Sequence, residues 1–446
     1  MLSYFCHLSV VSCGMQKMPT GFYTLLCAQF FSSWADNALL IVAIAHLMLQ
    51  GESAWMIPLL KFGFTLAYVI WAPWVGSTAD GWNKSTIMWA SHAIKLLGVF
   101  GMVAGWNTVL CYAIVGVGAA LYSPAKYGWM SQMVPPDRLV KANGWIETSS
   151  VCAAVGGVAC AGWWISVQYR QLYQSAAPWM SEWADGLWPA YLSVAVFYLL
   201  TVCMTWTVPS APLQHVNHMQ WWKRPVLFLT QDWLKLWRDA QARVSLCITT
   251  FFWGVGACMQ LLVLEWAQRG LDLTLEQGAY LQGVSGLGVI AGAWLAASCI
   301  TLQNHHKVLS CGVVLGCLLP WMLGIQDWRW AVPILMMLGA LAGLLVVPMN
   351  AMLQHRGVQV LTSGRSVAVQ NFNENLSILG MLGIYSAVLH WFGSWIILLL
   401  LLASVMVLIS VILMRRCPAE ARVLVPFSND LLAAGQPSID NSSERS

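Results

Sequence analysis

Between Phe22 and Met414 the chain is a succession of long apolar runs, nearly free of charge. A helix needs roughly 20 mostly apolar residues to cross a bilayer. Runs of that kind fall at 22–50, 56–79, 86–106, 109–131, 143–168 and 188–208, then at 244–268, 277–300, 308–325, 330–353, 366–391 and 394–414. They are continuous, not alternating at period two, which excludes a membrane β-barrel. In hydrocarbon every backbone amide needs an internal partner, and helices supply one. Only 9% of the 446 residues are charged and 59% are hydrophobic. A soluble domain carries roughly 25% charged residues, so this chain cannot coat a water-facing surface. The sequence predicts an all-α membrane protein with twelve transmembrane helices.

The runs divide as six, a polar break, and six. The expected organisation is an N-terminal cytoplasmic segment at 1–21, a first bundle at 22–208, a cytoplasmic linker at 209–243, a second bundle at 244–414 and a disordered cytoplasmic tail at 415–446. The linker holds Pro209, Pro212, Lys223, Arg224, Asp232, Lys235, Arg238, Asp239 and Arg243, along with Trp221, Trp222, Trp233 and Trp237. That mixture fits an amphipathic helix on the membrane surface and equally a solvated connection. Lys17 is the first charge, and the run behind it is too long for a signal peptide, so a retained first helix is expected.

Basic residues set the orientation. With the N-terminus inside, the inner segments hold Lys17, Lys84, Arg138, Lys141, the five linker cations, Lys307, Arg356, Arg365, Arg415, Arg416, Arg422 and Arg445. The outer loops hold only Arg170, Arg269 and Arg329. Both termini are therefore expected in the cytoplasm. A faint repeat supports the division. The fourth run ends Tyr122-Ser123-Pro124-Ala125-Lys126 and the tenth ends Val347-Pro348-Met349-Asn350. Each leads through a short basic loop to a helix with a polar start, marked by Asn143 and Glu147 in one half and by Gln370, Asn371, Asn373, Glu374 and Asn375 in the other. Transporters built from repeats place their site between the halves.

Ionisable groups at membrane depth are costly and usually face a cavity or a partner. Asp36 lies about 20 Å along the first run, followed by Asn37. Lys126 is late in the fourth run, Glu147 early in the fifth and Glu374 early in the eleventh. They are candidate walls or gates of a polar cavity; interhelical salt bridges are the competing reading. Lys95, midway along the third run, reads as structural, and Lys61 can snorkel to the outer surface. Gly76, Asp80 and Lys84 join the second and third runs. There a glycine permits close helix approach, and Asp80 can cap the next helix or pair with a cation.

Other chemistries find little support. No GxxxxGK[ST] loop offers a nucleotide site. The thirteen cysteines form no CxxC pair, and His305 and His306 read as solvated loop residues, so no metal site or cofactor is expected. The net charge of +4 comes without a dense basic stripe, which argues against nucleic acid.

The stretches 28–40, 116–128, 139–147, 252–254, 347–354 and 368–375 together resemble the bacterial lysophospholipid transporters of the major facilitator superfamily. Gly76, Asp80 and Lys84 resemble the superfamily's signature loop. The resemblance implies a major-facilitator-type fold of two six-helix bundles in the inner membrane of a Gram-negative bacterium. It implies inward movement of lysophosphatidylethanolamine and lysophosphatidylglycerol for reacylation by a separate acyltransferase and acyl-carrier-protein synthetase system. No catalytic role is implied. Asp36, Asn37, Lys126, Glu147, Asn371 and Glu374 would line the cavity or its gates, amid membrane lipids. The resemblance also implies a basic residue where this chain has Gln260, a possible cavity position. Asp36 must then find another partner, with Lys126 as the candidate. Two rivals stand beside this reading: a proton-coupled exporter of hydrophobic drugs or small metabolites, and a membrane-bound acyltransferase, which needs a histidine with an acid partner that His46, His92 and His390 lack nearby in sequence.

Overall fold

The apolar runs form twelve long helical elements in the computed structural model, which describes residues 18–52, 56–166, 171, 186–211 and 223–416. The first six are α1 (Phe22–Leu49), α2 (Met56–Gly81), α3 (Lys84–Val103), α4 (Thr108–Met133), α5 (Leu139–Trp164) and α6 (Trp188–Trp206). The second six are α7 (Ala240–Gly270), α8 (Leu275–Cys299), α9 (Leu309–Leu318, with a tighter helical turn on each side), α10 (Trp328–Val360), α11 (Ser363–Phe392) and α12 (Trp395–Arg416). Among the described residues all regular structure is helical. The segment before residue 18, Arg170, residues 212–222 and the tail from 417 lie outside the described residues.

Helices α5, α7, α10 and α11 run several residues beyond the predicted spans at one end. Hydropathy reads only the part of a helix that needs apolar residues, and a helix can continue past it. Local caps terminate several of them: Asn83 accepts from the Ser85 N–H at 3.0 Å, Asn107 from Leu110 at 3.0 Å, and Asp327 from Arg329 at 2.9 Å. Thr274 and Gln277 form a reciprocal capping box on α8. Thr362, ahead of α11, makes no such cap.

The helix contacts repeat. The pairs α1–α5, α2–α4 and α3–α6 of the first half recur as α7–α11, α8–α10 and α9–α12 in the second. Between the halves, α2 meets α11 and α5 meets α8, a pairing that exchanges with itself when the halves are swapped. Small residues allow these approaches. A side chain at Gly292 would strike Ala340, one at Gly144 would strike Ala297, and one at Gly76 would strike Ala368.

The apolar core is divided unevenly. At the end of the bundle bearing Phe22 and Leu413, here the proximal end, one cluster draws on both halves: Phe22, Ile87, Trp129 and Ile146 with Val244, Ile300, Met349 and Leu413. Toward the distal end there are two clusters. One contains only first-half residues such as Leu39, Val115 and Tyr191; the other contains only second-half residues such as Trp266, Leu335 and Leu402. The seam itself shows the parting. Along α5 and α8, Gly144 is pressed against α8 near the proximal end, Val151 touches the Gly286 position at ordinary distance, and Val155 is 53% exposed. Along α2 and α11, Gly76 is tightly covered, while Phe62 and Leu376 are each 48% exposed.

The described part of the connection between halves is helical from Arg224 to Arg238 and docks on the proximal end. Phe228 is buried against Phe372 of α11, with ring centroids 5.4 Å apart. The Arg224 Nε donates to the Pro73 carbonyl at 3.1 Å, and Trp233 Nε1 donates to Asn373 at 3.2 Å. Along the described stretch Phe228 and Leu236 are buried against protein, while Val226 and Leu229 are 64% and 52% exposed.

Asp239 caps α7 through the Ala242 N–H at 2.9 Å and binds Arg356 of α10 through two guanidinium nitrogens at 2.9–3.2 Å. Burial pushes its carboxyl up, but the Arg356 and backbone hydrogen bonds outweigh this and hold it below the usual carboxylate range. A depressed acid contributes stability at neutral pH and loses it only as pH falls below about 4 toward its own pKa. Asp239→Asn should therefore lower stability at pH 7 by roughly 1 kcal/mol, allowing for solvent screening. The difference from the parent should vanish in strong acid, as read by thermal unfolding at a series of pH values.

Candidate functional site

The mid-membrane polar groups of the first half form two connected clusters. Asp36 of α1 is bound by the Lys95 ammonium of α3, which donates to both carboxylate oxygens at 2.8 Å. Tyr198 of α6 donates its hydroxyl to the same carboxylate at 2.7 Å, and Lys95 also donates to Ser32 at 3.1 Å. Lys95 and Tyr198 are fully buried, while the Asp36 side chain is 21% exposed. His92, one turn before Lys95, is enclosed by the Tyr122 and Tyr198 rings.

The second cluster lies nearer the proximal end. Lys126 donates to Gln29 at 2.9 Å, and Gln29 donates to Ser150 of α5 at 2.9 Å. Lys126 stands 4.1 Å from the Tyr127 ring centre and attracts Glu147 electrostatically. Tyr122 joins the two clusters, with one ammonium on each side at 5.6 and 5.5 Å. A cation over an aromatic face is held by the ring quadrupole.

The partner expected for Asp36 is thus corrected. It is Lys95, not Lys126. Gln29 precedes Asp36 by two helical turns, about 10 Å, and α4 meets α1 at the level of Gln29. α3 presents Lys95 at the level of Asp36. Lys95, read from the sequence as structural, belongs to this network together with Tyr198, Tyr122, Ser32 and Gln29, which were not among the sequence candidates. The available signal was the depth of Lys95, since an unpaired ammonium in mid-span demands a partner.

Several of the other candidates form a lock between the halves. Asp80 is fully buried and caps α11 of the opposite half, not the following helix. It accepts from Gly364 N–H at 2.7 Å, Arg365 N–H at 3.1 Å, Thr362 Oγ1 at 2.5 Å and Ser363 Oγ at 3.2 Å. This supplies the cap that Thr362 lacks. Lys84 lies 3.7 Å from Asp80, also buried. Gly76 and Gly364 face each other where any side chain would collide, so the close approach requires both. Asn371 exchanges hydrogen bonds with Ser123 of α4 at 2.9 and 3.3 Å. Asn143 and Gln354 exchange amide bonds between α5 and α10 at 2.9 and 3.0 Å. Arg365 and Arg224 both reach buried Asp232 of the connecting segment.

Glu374 accepts from Gln370 at 2.7 Å, and Gln370 also donates to Asn350 at 2.9 Å, within the second half. Asn37 donates to the Ser33 carbonyl of its own helix at 2.8 Å and stands outside the Asp36 network. Gln260 accepts from Lys61 of α2 at 3.3 Å. The arrangement joins the halves by polar locks at the proximal end and by the Lys61–Gln260 hydrogen bond at the distal end, and it buries a charge pair within the first half.

A model of the Major Facilitator Superfamily matches residues 25–380. The lysophospholipid transporter LplT of Photorhabdus laumondii is 36% identical over 83% of this chain and 89% of that protein. LplT of Yersinia enterocolitica is 34% identical over 83% of this chain and 88% of its own length. Among solved structures, a variant of the fucose:proton symporter FucP from E. coli superposes with a TM-score of 0.69 at 14% identity, covering 91% of this chain and 98% of that one.

Proposed function

Because the chain belongs to the Major Facilitator Superfamily, and within it to the bacterial lysophospholipid transporters, we propose that it carries lysophospholipids inward across the bacterial inner membrane. In this reading the proximal end is cytoplasmic and bears both termini, in keeping with the basic residues of the loops. The observation that carries the proposal is the division of the core: one cluster shared between halves at the proximal end, and two separate clusters at the distal end. A seam closed toward the cytoplasm and parted toward the outer leaflet can admit a single acyl tail from the side. The head group can then enter among polar residues.

The chemistry of the substrate fits the residues. A lysophospholipid has a phosphate, a short polar head and one tail. Lys126, held by Gln29 at 2.9 Å, offers an ammonium and Glu147 a carboxylate, charges that complement a zwitterionic head such as that of lysophosphatidylethanolamine. The product in the inner leaflet would pass to a separate acyltransferase and acyl-carrier-protein synthetase system.

Uptake of labelled lysophosphatidylethanolamine and lysophosphatidylglycerol into spheroplasts, with and without an uncoupler, tests the proposal. Uptake that depends on this protein supports it. A strain in which deletion leaves lysolipid uptake intact but raises drug sensitivity would overturn it in favour of an exporter. Lys126→Ala removes one charge-assisted hydrogen bond, worth about 1.5–3 kcal/mol. It should lower uptake about tenfold without abolishing expression. Parental uptake by a well-expressed variant would remove Lys126 from the mechanism.

A further inference from the structure

Lys61 has no acidic partner among the described ion pairs. Lys95 takes Asp36, Lys84 takes Asp80, Arg224 and Arg365 take Asp232, Arg356 takes Asp239 and Arg269 takes Glu265. Lys61 nonetheless sits on a membrane-crossing helix, five residues inside the distal start of α2. An unpaired ammonium facing lipid there would be costly.

Its face of the helix is informative. Ala72, eleven residues on, lies three turns nearer the proximal end, about 16 Å along the axis and about 20° around it. Ala72 packs in a cluster with Ala368 and Val369 of α11. Lys61 therefore points toward the other half, at the distal end of the seam, and it is exposed. Its ammonium donates to exposed Gln260 on α7 at 3.3 Å. Gln282 of α8 donates to the Gln260 backbone carbonyl. Three helices thus bring one ammonium and two carboxamides together at the distal mouth. An ammonium has three donors and each carboxamide two, and among the described residues no carboxylate pairs with the cation. Phe62 and Leu261, next to them in the chain, are 48% and 40% exposed.

We propose that Lys61, Gln260 and Gln282 form an anion-receiving site at the distal mouth that takes the phosphate of a lysophospholipid head group before it moves deeper into the seam. This rests on the transport reading above and names the residue that selects phosphate-bearing single-chain lipids on entry. Lys61 acts as a specificity residue. It is separate from the Asp36–Lys95 pair, which lies inside the first half.

The test is equilibrium binding to the purified full-length protein in nanodiscs. Labelled lysophosphatidylglycerol is compared with monoacylglycerol, which has the tail without the phosphate. Lys61→Gln should weaken lysophosphatidylglycerol binding about tenfold, equivalent to one charge-assisted hydrogen bond. Monoacylglycerol binding and the thermal unfolding temperature should stay unchanged. Lys61→Arg should bind within about twofold of the parent, because it keeps the charge. Equal lysophosphatidylglycerol binding by parent and Lys61→Gln overturns the site. Displacement of the lipid by equimolar glycerol 3-phosphate or inorganic phosphate also overturns it, by making the ligand a free anion. Parental uptake of lysolipid in spheroplasts separates the two proposals. Parental uptake with binding insensitive to Lys61 sinks only the entry site, while absent uptake sinks the transport reading.

Discussion

Asp36→Asn should destabilise the protein by about 3–5 kcal/mol, the usual cost of leaving one member of a buried ion pair without the other. Lys95 is fully buried and gives two of its donors to the Asp36 carboxylate. Asparagine keeps the shape but supplies only one acceptor oxygen and no charge. Tyr198, which donates to the same carboxylate, loses part of its partner as well. Lysolipid uptake should fall at least about tenfold, since more than 1.4 kcal/mol is at stake. A second substitution separates folding from transport. Asp36→Asn with Lys95→Met removes both charges and should recover most of the stability, because a neutral packed pair avoids the desolvation cost. Uptake by the double variant should remain low. Parental uptake by that variant would remove the pair from the mechanism, and an unchanged unfolding temperature in Asp36→Asn would contradict the buried pair itself.

The second large effect is expected at Asp80. Alanine there deletes all four hydrogen bonds to the start of α11, two of them from backbone N–H groups at the positive end of a helix. It also leaves buried Lys84 without its carboxylate. If two charge-assisted bonds are lost at about 1.5 kcal/mol each, the proximal lock weakens by about 3 kcal/mol. That is roughly a hundredfold shift in a two-state equilibrium. Spin labels at Met48 and Trp391, exposed at the distal ends of α1 and α11, report it. In Asp80→Ala the distance distribution between them should move toward shorter values as the distal mouth closes. An unchanged distribution would show that the Asp80 cap does not set the balance.

The helices were legible because lipid imposes a simple rule on each run. The rule weakens at α5, whose first turns carry Lys141, Asn143 and Glu147, and it alone of the twelve lacks the length-and-apolarity signature of a span. It packs between α1 and α8, with Asn143 near its start buried against Gln354 of α10. The site was less legible. The depth of Asp36 and Lys95 could be counted along their helices, but whether α3 or α4 meets α1 at that depth depends on how the helices pack. Asp80 shows the same limit. Its local sequence pointed to a cap on the next helix or to a nearby cation; Lys84 is that cation, but Asn83 performs the cap and Asp80 reaches a residue 284 positions away. Hydropathy and spacing describe one helix at a time, whereas these contacts join helices far apart in the chain.

The shared apolar cluster constrains how the protein can be divided. Phe22, Trp129 and Ile146 are covered partly by residues such as Val244, Met349 and Leu413 from beyond the connection. Either repeat, excised, would expose that surface and lose the caps and amide pairs supplied by its sibling. The duplication that the helix pattern records has therefore left two obligate companions, which must unfold together and cannot persist apart.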